Sequence, residues 1–169
     1  MRSIKSILTI LGFVFAVSFA VSAQSLNLTS LGGEKINVQG QKGKVVVLAI
    51  GATWLPLSNQ QAVFANKLAK KYAGRDVLIY FVATDSTSTK SKNYADDAAI
   101  GKFAASNKLN VPVLRDSDGL LTMKKFSIDQ LPAFVILDKD GKPATESYAG
   151  IDPKTDITLT ISKEIDKIL

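Results

Sequence analysis

The chain contains no cysteine and no histidine. Without a thiol there can be no disulfide, no thiolate nucleophile, no iron–sulfur cluster and no Cys/His zinc site. Without an imidazole, a Ser-His-Asp triad and a histidine general base are excluded as well. Arginine is nearly as scarce, at positions 2, 75 and 115 only, so the basic cluster of a nucleic-acid surface is missing. Gly and Pro number 11 and 5 in 169 residues, too few for a fibrous or low-complexity chain. What remains is a globular composition, 46% hydrophobic and 21% charged, with a net charge of +6.

The first residues differ from the rest. Met1–Ser6 carries Arg2 and Lys5. Ile7–Val21 is apolar apart from Thr9, Gly12 and Ser18, and Val21-Ser22-Ala23 precedes Gln24. A positive start, a short apolar run and small residues at a cut point predict an export signal removed after Ala23. A span needs about 20 apolar residues, so this stretch is short for a membrane helix; a retained anchor is the alternative. The absence of cysteine rules out a lipid-modified N-terminus of the lipoprotein type. The expected mature domain is Gln24–Leu169, exported to a periplasmic or extracellular space. Disulfides are available there and this chain uses none, so a packed core must hold it together.

Beyond Gln24, Leu26–Leu28 and Lys35–Val38 alternate apolar and polar around Gly32-Gly33, which predicts an edge hairpin. VVVLAI over 45–50 and VLIYFVA over 77–83 are continuous apolar runs and read as buried parallel strands. Asn59–Ala73 has helical period, with Phe64, Leu68 and Tyr72 on one face and Gly74 as stop. Thr84–Asn93 reads as a surface loop. Asp96–Asn107 reads as a helix, with Asp96-Asp97 favouring its dipole. Val111–Leu114 reads as a short strand and Gly119–Phe126 as a short helix. Phe134–Leu137 and Ala144–Ala149 flank Asp138–Gly141 as a hairpin. Asp152 and Pro153 are expected to cap and open a last helix striped by Ile157, Ile161, Ile165 and Ile168. Strand–helix–strand units, a hairpin and a closing helix predict one α/β domain, a three-layer sandwich with a mixed central sheet and helices on both faces.

Three segments then stand out in order. Gly43–Trp54 (GKVVVLAIGATW) runs into Leu55-Pro56-Leu57-Ser58; Pro112–Gly119 reads PVLRDSDG; Leu131–Asp138 reads LPAFVILD and leads to Gly141. Together they resemble the thioredoxin-like proteins of the bacterial cell envelope, the TlpA-like and AhpC/TSA-related thiol-disulfide reductases. The likeness spans essentially the whole mature chain. It implies a thioredoxin-like fold with an N-terminal hairpin extension, and a cis peptide bond before Pro132. It also aligns the family's two redox cysteines with Leu55 and Ser58. Thiol–disulfide exchange needs a thiolate attacking sulfur. Leucine has no lone pair to offer, and no base is present to activate the serine. The resemblance therefore carries the fold and not the redox chemistry.

The family binds extended peptide segments beside this turn, where the residue before the cis-proline pairs with the partner's backbone. The resemblance implies the same surface here: Trp54, Leu55, Pro56, Leu57, Ser58, Leu131 and Pro132, facing a protein or peptide partner in the cell envelope. The competing reading buries Leu55 and Leu57 in the core and makes Trp54 a packing residue. Ser58 has a structural reading of its own, either behind a Pro56-opened helix capped by Leu55 or as a capping box with Gln61. No catalytic residue, metal or cofactor is expected. Asp116–Gly119 and Asp138–Gly141 lack the ligand set of a calcium loop and read as turns. A non-thiol enzyme in the same cleft and a subunit of a homo-oligomer are the alternatives, and the oligomeric state is left open.

Overall fold

The computed structural model describes residues 25–169; the export segment predicted over Met1–Ala23 lies outside them. A seven-stranded mixed sheet runs in the order β2-β1-β5-β4-β3-β6-β7. Its strands are β1 (Asn27–Ser30), β2 (Lys35–Asn37), β3 (Val45–Gly51), β4 (Val77–Ala83), β5 (Val113–Arg115), β6 (Ala133–Leu137) and β7 (Tyr148–Ala149). β3, β4 and β5 are parallel, while β6 runs antiparallel to β3 and β1 antiparallel to β5. The helices are α1 (Pro56–Lys71), α2 (Asp97–Ser106), α3 (Thr122–Lys125) and α4 (Ile157–Ile168), with a 3-10 turn at Ser117–Gly119.

The apolar runs are continuous because both sheet faces are covered. Alternate residues of β3 serve opposite faces. Val45, Val47 and Ala49 join Phe64, Leu68, Ile100, Ile161 and Ile165 from α1, α2 and α4. Val46, Leu48 and Ile50 join Leu26, Leu28, Val38 and Phe126 on the other face, which carries the short α3. Two β-α-β crossovers stepping in the same direction along the sheet place α1 and α2 on one face. The chain reverses direction after β5, which puts α3 on the other.

Most predicted elements are present, and the differences are local. The hairpin strand expected over Ala144–Ala149 shortens to Tyr148–Ala149, with Pro143 making only an isolated bridge to Leu137. The last helix does not begin at Asp152-Pro153. The Asp152 carboxylate accepts from the Lys154 amide (2.9 Å) and the Thr155 hydroxyl (3.1 Å), closing a separate turn. Asp156 is the true N-cap, accepting from the Thr158 amide at 3.1 Å, and it pairs with Lys67 of α1. Docking against α1 selects the second aspartate. The loop expected at Thr84–Asn93 starts inside the protein, since Thr84, Asp85 and Ser86 are all buried.

Candidate functional site

β3 ends at Gly51, and Ala52–Leu55 turns the chain into α1. Leu55 sits at the N-cap with extended backbone (φ −85°, ψ 120°) and no side-chain cap, and Pro56 occupies the first helical turn. Proline costs nothing there, because its missing N–H has no intrahelical acceptor. The register of β3 on β6 sets Ile50 opposite Ala133. Ala52–Trp54 therefore runs alongside Leu131-Pro132, whose peptide bond is cis.

Ser58 lies on the buried side of α1's first turn. It is fully buried, and its hydroxyl accepts the Ala52 amide at 3.1 Å. Gln61, one turn on, is fully buried as well. Its Nε2 donates to the carbonyls of Ile50 (3.1 Å) and Ala133 (2.8 Å). One amide thus ties the helix to both strands that carry the site. These two acceptors fix the amide's orientation and leave Oε1 without a partner. Gly51 makes the arrangement possible: a Cβ there would stand 2.3 Å from Gln61 Oε1 and 2.7 Å from Ser58 Oγ. The capping box read from Ser58 and Gln61 does not form: Leu55 is the N-cap, and both side chains lie inside the helix, turned to the Ala52 amide and to the Ile50 and Ala133 carbonyls.

A second anchor holds the outer end of the turn. The Thr53 amide donates to both oxygens of Asp85 (3.1 and 3.0 Å), and the Thr53 hydroxyl donates at 2.6 Å. Asp85, just past β4, is fully buried. Its carbonyl accepts from Arg115 Nη2 at 3.4 Å, and the same guanidinium reaches the Ala95 carbonyl (2.8 Å) and Asp97 (2.5 Å). β4, β5 and the start of α2 therefore all brace the residue before Trp54.

Between these anchors Trp54 projects at 49% exposure. Pro56 is exposed, and Leu55, Leu57 and Leu131 are half-buried. Five of the seven residues expected at the site therefore contribute surface. Ser58 and Pro132 do not: both are buried, and they shape the turn from beneath instead of facing a partner. Leu131 also packs against the core beneath it. Sequence reading missed Gln61 and Asp85 as supports; a polar residue one turn into the helix and an aspartate closing an apolar strand were the available signals.

The turn offers mainly apolar contact surface. The Ser58 hydroxyl is sealed beneath the turn against the Ala52 amide, and both oxygens of Asp85 accept from Thr53. No cluster of acidic side chains that could hold a metal ion occurs among the described residues. Asp116 instead caps α3, accepting from the Leu121 amide (3.1 Å) and the Thr122 amide (2.7 Å). Asp138 closes its turn by accepting from the Asp140 and Lys142 amides, both at 2.9 Å.

The Redoxin family model matches residues 18–160. The thiol-disulfide oxidoreductase ResA of Bacillus thuringiensis subsp. konkukian is 31% identical over 124 residues, which cover 73% of this chain and 66% of that protein. The thioredoxin-like protein YneN of Bacillus subtilis is 31% identical over 119 residues, 70% of this chain and 65% of its own. The chain thus spans just under two thirds of these relatives. Among solved structures, a secreted Mycobacterium tuberculosis disulfide oxidoreductase superposes with a TM-score of 0.61 at 23% identity, over 85% of this chain and 96% of that one.

Proposed function

The chain belongs to the Redoxin family yet contains no cysteine, and we propose that it is an exported thioredoxin-like docking protein, an adaptor, chaperone or assembly factor without redox activity. It binds an extended protein or peptide segment on the surface formed by Trp54, Leu55, Pro56, Leu57 and Leu131. The observation that carries this reading is the state of the turn. Leucine and serine stand where the resemblance places the family's redox pair, while the turn itself remains fully braced by Gln61 and Asp85. An exposed tryptophan beside half-buried leucines is the composition of an interaction surface. Export is supported by the composition of Met1–Ala23.

Affinity capture from the envelope fraction, compared between the native chain and a Leu55→Asp, Leu131→Asp variant, tests the reading. Leu55 and Leu131 are already half-buried, so each gains only about 1 kcal/mol on further burial in a complex, and the double variant is expected to lose the partner about tenfold. Undiminished capture by a folded double variant would remove this surface from consideration. Insulin reduction is expected to be absent from native chain and variant alike.

A further inference from the structure

We draw no further inference here: the strongest candidate, the groove between α1 and the turn before α4, with Val63 exposed at its rim and Phe64 and Pro153 among its lining, carries nothing because nothing in the structure shows what covers it.

Discussion

Replacing Asp85 by alanine should loosen the end of the turn that presents Trp54. The carboxylate accepts the Thr53 amide and the Thr53 hydroxyl, and it is fully buried. A hydrogen bond to a charged group contributes about 1.5–3 kcal/mol net. Thr53 is half-buried, so water can re-satisfy part of what is lost. Counting one bond in full and the other in part gives about 2–4 kcal/mol of destabilisation. A term of opposite sign, the relieved desolvation of the buried carboxylate, pulls the value toward the lower figure. Asp85→Asn retains one acceptor oxygen and should cost only about 1–2 kcal/mol. Urea unfolding followed by the emission of Trp54, the chain's single tryptophan, reads both stability and the local environment. With a slope of about 2 kcal/mol per molar urea, Asp85→Ala should lower the midpoint by about 1–2 M. A cycle with Thr53→Val should return a coupling of about 1 kcal/mol or more. An Asp85→Ala midpoint within about 0.3 M of the native chain, together with zero coupling, would refute the claim that this pair braces the site.

Two further outcomes are expected. At Gly141 the backbone has φ +77°, and a Cβ would lie 2.0 Å from the Gln39 carbonyl oxygen; Gly141→Ala should cost about 3 kcal/mol or more in thermal unfolding. Gly74→Ala, at the same φ of +77° but with nothing within 4 Å, should cost only about 1 kcal/mol. Acid should weaken the seam between α1 and α4. The Lys67 hydrogen bond is the main cause holding Asp156 below its ordinary value of 3.8, and the Tyr72 hydrogen bond is the main cause for Asp166. Carboxyls depressed in the folded state contribute stability that is present above 3.8 and lost as pH falls through their folded values. Urea midpoints should therefore decline below about pH 4, and Asp156→Asn with Asp166→Asn should flatten that decline. Solvent screening at these exposed pairs keeps the effect small.

Much of the architecture could be read from local pattern. The runs 45–50 and 77–83 identify central strands because a strand covered on both faces needs apolar side chains at every position. Asp96 could be placed at a helix start because its partner, the Ala99 amide, is three residues away. The lack of cysteine could be read directly, and it excludes a thiolate of this chain's own, since no fold can supply an absent thiol. Folding alone decided which polar residues build the site. Gln61 bonds to residues 11 and 72 positions away, and Asp85 to one 32 positions away; no local pattern encodes such partners. Asp152 and Asp156 carry the same capping chemistry, and only contact with α1 chooses between them. Ser58 and Trp54 sit four residues apart, yet one is sealed beneath the turn and the other stands out from it. That difference follows from the direction in which β3 delivers the chain into α1, a property of the packed sheet rather than of either side chain.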